Sequence, residues 1–233
     1  MKQVVSGQWS VARTTVVSGQ WLVVRKALVT GHWSLITVFV LFTVLSGCAA
    51  KNADVIQPAK GYFAGLQRMT RHEKVIDHLE SKLFVYATYK SLALREAYID
   101  EYAKRYKMYD HQKDRLAKSE MEMDEKFNEF FIAVYTPEDR WNDFNTSESI
   151  WKIYLEDEKG DRVSPIEIKK VDVNSPLIRE FYPYLDLWSS GYVIRFPKYM
   201  VGGEEPLPGK DANYFRLIIT GVVGSAVLEW QLK

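Results

Sequence analysis

The sequence predicts a mainly β protein, an antiparallel sandwich of about seven strands with two inserted helices. Three observations lead there. After residue 82 most of the chain falls into short runs rich in Val, Ile, Phe, Tyr and Trp, separated by turn signals. Two charged stretches with helical apolar spacing interrupt that series once, between residues 92 and 127. No helix follows each strand, as a parallel βαβ sheet would require. With 47% hydrophobic and 26% charged residues, the chain is neither disordered nor collagen-like.

The elements follow in order. Leu83–Tyr89 is β-branched and aromatic and reads as the first strand. From Leu92 to Tyr106, Leu94, Tyr98, Tyr102 and Tyr106 recur every fourth residue, which gives a helix with one apolar-aromatic face. Asp110 can cap a second helix to about Phe127, with Leu116, Met123 and Phe127 along one side and a solvated charged surface elsewhere. Phe130–Tyr135 is apolar on both faces, as a central strand is. In Ile150–Leu155 the residues Trp151, Ile153 and Leu155 share a face. Glu156–Asp161 is a turn signal, and Val163–Val173 is read as the returning partner strand, with Pro165 marking an edge or a bulge. Ser175-Pro176 opens a short helix through Tyr182, with proline at its first position. Tyr192–Phe196 is a strand, and Tyr214–Thr220 with Ala226–Leu232 form a last hairpin around Gly221-Val222-Val223-Gly224. A single cysteine permits no internal disulfide. An immunoglobulin-like sandwich of this kind must therefore be held by its aromatic core, for which Trp151, Trp188 and Trp230 are the expected anchors.

The first 47 residues read differently. Val4-Val5-Ser6-Gly7-Gln8-Trp9 recurs as Val16–Trp21 and, more loosely, as Leu28–Trp33, so the tryptophans fall twelve residues apart. Copies this short bury no core. They read as a translated DNA repeat covering residues 1–23 or so, with the true start near Val23, Val24 or Val29. Arg25-Lys26 then precedes a mainly apolar run, densest from Leu35 to Leu45. A basic segment, a short apolar core and small residues after it make a secretory signal peptide, and this core is too short for a permanent span of about 20 residues. The run ends Leu45-Ser46-Gly47-Cys48.

That tetrapeptide resembles the lipobox of bacterial lipoproteins, and the resemblance covers this targeting segment alone. It implies a diacylglyceryl group on the Cys48 sulfur, cleavage between Gly47 and Cys48, and acylation of the new amine. Residue 49 is alanine, not the aspartate that commonly retains such proteins in the inner membrane. In a two-membrane bacterium the resemblance thus implies outer-membrane delivery, with the body in the periplasm as the first expectation and on the outside as the second. Residues 48–62 read as the lipidated cysteine and a flexible tether, and residues 63–233 as one domain with its helical insertion at 92–127.

Charge and motifs narrow the function. Four of the 31 basic residues and none of the 30 acidic ones precede Cys48, which leaves a mildly acidic body unlike a nucleic-acid binder. His72-Glu73 lacks a second histidine four residues on, since the next is His78. Asp143, Asn145 and Ser147 have the opening spacing of a calcium loop, but Glu148 and Tyr154 stand where glycine and glutamate belong. Gly202-Gly203 precedes Glu204-Glu205-Pro206, which would repel a phosphate, and there is no Gly-x-Ser-x-Gly elbow. No catalytic residue, metal or cofactor is expected. The expected function is a non-catalytic binding or scaffolding domain for another envelope protein, with the Tyr98/Tyr102/Tyr106 face and the Pro197–Asp211 loop as candidate contact surfaces. The rival expectations are a polysaccharide hydrolase working through an Asp/Glu pair and a carrier of a small apolar ligand in the sandwich interior.

Overall fold

A computed structural model describes residues 61–200, 205–209 and 211–232. The repeat, the signal peptide, Cys48 and nearly all of the tether lie outside the described residues, as do Gly202-Gly203-Glu204. The described residues lie within one compact unit, Gln57–Lys233.

Nine strands form two antiparallel sheets. In chain order they are β1 (Thr70–Asp77), β2 (Glu80–Tyr89), β3 (Phe127–Tyr135), β4 (Trp151–Asp157), β5 (Arg162–Val163), β6 (Glu167–Val171), β7 (Ser190–Pro197), β8 (Tyr214–Gly221) and β9 (Gly224–Gln231). One sheet runs β1-β2-β3-β7-β6 and the other β5-β4-β8-β9. Among the described residues the helices are α1 (Tyr62–Met69), α2 (Leu92–Tyr106), α3 (Asp110–Lys126) and α4 (Pro176–Phe181).

Period-two alternation builds the core. Leu83 and Val85 of β2, Phe130 and Ile132 of β3, and Ile194 and Phe196 of β7 meet Ile153 and Leu155 of β4, Phe215 and Leu217 of β8, and Trp230 of β9. Trp230 stacks on Phe215 (5.4 Å, 7°), meets Phe130 edge-on, and donates its indole N–H to the Met69 carbonyl at 2.7 Å. That bond and Arg71 Nε donating to the Glu229 carbonyl (2.8 Å) close the seam between β1 and β9. The opposite face of the five-stranded sheet carries a second cluster. There Tyr62, Leu66, Leu94 and Phe181 from α1, α2 and α4 cover Phe131 and Ala133.

Several expectations are corrected. The described residues hold nine strands, not about seven, and the helices α2 and α3 enter between the second and third of them. β1 went unread because Thr70-Arg71-His72-Glu73-Lys74 is polar and forms a half-exposed sheet edge, where burial imposes little pattern. The tether reading ends where α1 begins, since Tyr62 is buried and donates its hydroxyl to the Phe181 carbonyl at 2.9 Å. The returning strand after the turn is two strands. Val163 pairs with Leu155, and past Pro165 the chain crosses to the other sheet, where Ile168 pairs with Ile194. Asp110 is the first residue of α3 rather than its cap; the cap is Tyr109, whose N–H is taken by Gln112 Oε1 at 3.0 Å. No residue of α3 is buried, so Leu116 and Met123 do not form a core face. Trp151 and Trp230 are core residues, but Trp188 is 78% exposed. Among the described residues no helix is long and apolar enough to cross a membrane.

Candidate binding site

The tyrosine face of α2 is gathered around Phe181. Tyr98 lies 4.9 Å and Tyr102 5.9 Å from that ring, and Tyr106 stacks on Tyr102 at 4.4 Å. Burial drives the Tyr98 hydroxyl well above its ordinary pKa, as it does for Tyr62 beneath it, so both stay protonated donors. Tyr98 and Tyr102 thus seat the helix on the sheet, and Tyr106, 57% exposed, is the member left facing solvent.

Beside this cluster lies a buried ionic network. The fully buried Arg95 donates Nη1 to Glu120 (2.5 Å) and Nε to the Lys90 carbonyl (3.2 Å), while its Nη2 stands 3.7 Å from Glu129 without a hydrogen bond. Lys90 Nζ pairs with Glu129 at 2.6 Å, and Glu129 also takes Arg195 Nε at 2.7 Å. Burial alone would raise the Glu129 pKa. The Lys90, Arg195 and Arg95 charges outweigh it and hold the carboxyl at about 2. Lys198 Nζ reaches Asp124 at 3.3 Å, so through Glu120 and Asp124 this network fastens the otherwise exposed α3. Its charges pair with one another, Arg95 Nη2 alone lacking a hydrogen bond, which is the chemistry of a latch.

Among the described residues, several large apolar side chains are left uncovered at one end of the sandwich. The β1–β2 turn sits there, with Leu79 100% exposed. The β8–β9 turn lies beside it, because Gly224 abuts Val75 so closely that a Cβ there would stand 2.3 Å from Val75 Cγ1. Its Val222 is 90% exposed. β7 also begins at this end, since Ser190 pairs with Val134, so the preceding Leu187 and Trp188 project nearby, 75% and 78% exposed. An Asx turn fixes Trp188: Asp186 Oδ1 accepts the amides of Trp188 (2.9 Å) and Ser189 (2.8 Å). Phe84, Tyr135, Trp188 and Asp186 line a shallow recess of about 360 Å³ on the helix-covered sheet's outer face, beyond the helices.

The other expected chemistry resolves locally. His72, His78 and His111 are exposed. His72 stacks on Tyr86, and His78 bonds Asp77 at 2.8 Å. Among the described residues no group of three or more His, Cys, Asp or Glu could hold a metal ion. Asp143 accepts the Ser149 hydroxyl at 2.9 Å, a turn bond. A recess of about 480 Å³ gathers Asp157, Glu158, Glu205 and Asp211. There Asp157 takes the amides of Lys159 and Asp161 and fixes its own turn, and Glu158 takes that of Asn213 and ties the turn to the chain entering β8. Cys48 lies outside the described residues.

Sequence reasoning missed Phe84, Tyr135 and Trp188 as a group. The available signal was local: Asp186-Leu187-Trp188-Ser189-Ser190-Gly191 has turn chemistry on both sides of its tryptophan, which argues against a core position. No protein-family model matches the chain, and no curated protein or solved structure is significantly similar to it.

Proposed function

We propose that this chain is an outer-membrane lipoprotein whose periplasmic body is a non-catalytic binding or scaffolding module for another envelope component. The observation that carries the binding reading is the exposed end, where Leu79, Val222, Leu187 and Trp188 are all at least three-quarters uncovered. Isolated surface leucines are ordinary, but a concentration of large apolar side chains at one end marks an interaction surface. The anchor reading rests on Leu45-Ser46-Gly47-Cys48 and on this cysteine's being the single one in the chain. One acyl chain holds a protein only marginally, and the two or more that a lipobox cysteine acquires give stable attachment. The Tyr98/Tyr102/Tyr106 face is a secondary contact surface, offered to a partner mainly through Tyr106. We also assign the sandwich to the immunoglobulin-like class, with the facing antiparallel sheets as support.

Two experiments test this. Cys48→Ser should abolish radiolabelled palmitate uptake and release the protein from the outer-membrane fraction; retained label and retained flotation refute the anchor. A photo-crosslinking residue at Leu79 or Val222 should trap a defined envelope component in cells, and one at the far edge, Lys169, should not. Equal yields from the two places refute the binding end.

A further inference from the structure

We propose that the recess between Phe84, Tyr135, Trp188 and Asp186 binds a quaternary ammonium group. The inference rests on the reading of this end as the binding end and gives it a ligand class.

The walls supply the attraction. An aromatic ring presents a negative face that draws a cation within about 6 Å, and tryptophan does so best. Rings at this end already do this within the protein: Lys74 Nζ lies 5.1 Å from the Phe84 centroid, and Lys82 Nζ lies 5.9 Å from that of Trp141. Phe84 and Tyr135 stand side by side with centroids 5.8 Å apart at 38°, and the indole of Trp188 adds a third wall.

The charge of the recess selects the sign of its occupant. The Asp186 carboxylate uses Oδ1 to hold two backbone amides, and among the described residues no cationic side chain pairs with it. Nearby, Lys82 pairs with Glu80 at 2.6 Å and Arg140 with Glu138 at 3.0 Å, while the Lys74 ammonium rests over Phe84. Among the residues that line the recess Asp186 is the charged one, and it stands beside three aromatic side chains. An anion would be repelled, and a neutral apolar ligand would desolvate the carboxylate without compensation. A primary ammonium carries three donors that a single carboxylate cannot satisfy. A quaternary ammonium has no donor to satisfy, and it matches ring faces and a lone charge. The volume of about 360 Å³ lies at the small end of ligand sites and suits one headgroup-sized cation.

The test uses the full chain purified in maltoside detergent and titrated calorimetrically with choline chloride and with 3,3-dimethylbutan-1-ol, its uncharged isostere. Choline should bind, and the isostere at least about tenfold more weakly. Trp188→Ala and Asp186→Asn should each weaken choline by about tenfold with an unchanged melting temperature, because Trp188 is exposed and asparagine keeps the oxygen that holds the turn. Absence of choline binding, equal binding of the isostere, or undiminished binding by Asp186→Asn overturns the proposal. Vesicles of phosphatidylcholine and the Cys48→Ser chain separate the sources: flotation competed by choline assigns the group to a lipid headgroup, and no flotation assigns it to a free solute. Crosslinking from Leu79 and Val222 lies outside the recess, so the binding-end reading stands or falls separately.

Discussion

Replacing Trp230 tests both the core and the seam that closes it. Its side chain is 1% exposed, stacked on Phe215 and edge-on to Phe130, and its indole N–H is bound to the Met69 carbonyl. A buried tryptophan removes about 150–250 Å² from water, and at about 25 cal/mol per Å² the transfer contribution is about 4–6 kcal/mol. Partial collapse of the site offsets some of that loss, so Trp230→Ala should destabilise the domain by about 3–5 kcal/mol. Trp230→Phe keeps much of the ring but strands the Met69 carbonyl in a closed seam, which costs about 1–3 kcal/mol. Urea denaturation followed by circular dichroism measures both, with the slope monitored to confirm that the same surface unfolds. A Trp230→Ala loss below about 1 kcal/mol would refute the argument, because β9 would then be peripheral and the two sheets would not share this core.

Three further outcomes follow from the described contacts. Arg95→Met should cost about 3–5 kcal/mol in the same assay, because Glu120 and Glu129 would keep their buried charges with one cation fewer. Glu129 has a folded pKa of about 2 against an ordinary 4.5, so its contribution is fully present above about pH 4.5 and is lost as pH falls towards 2. The loss should total about 3 kcal/mol, and Glu129→Gln should flatten the fall in melting temperature over that range. Gly224 has φ +144° with Val75 against its α-carbon, so Gly224→Ala should lower the melting temperature by an amount equivalent to about 1–3 kcal/mol.

Where burial imposed a period, the fold was legible. The alternation of Trp151, Ile153 and Leu155, the continuous apolar run of β3, and the four-residue spacing of α2 each located an element closely. Where burial was partial the pattern faded, as in β1, a polar edge strand. The sheet crossing at Pro165 was visible as a break but not as a change of partner, because pairing depends on residues about 30 positions away, such as Ile194 opposite Ile168. The candidate site suffered most. Phe84, Tyr135 and Trp188 come from β2, β3 and the approach to β7, and nothing local in the chain states that they meet. Tryptophan was read as core on residue type alone, and Trp188 shows how a turn on either side overrides that preference.

The seam between β1 and β9 also sets when the domain folds. Met69 and Arg71 bind Trp230 and Glu229 across 161 and 158 residues of chain, so β1, which pairs with β2, gains this second contact only once β9 has been made. Contacts of such long range cost loop entropy before they return stability, and they slow folding. A chain lacking β8 and β9 has one face of its main sheet uncovered, because Phe215, Leu217 and Trp230 supply much of that cover. In the export proposed above, this delay keeps the chain competent to cross a membrane until β9 follows and the core can close.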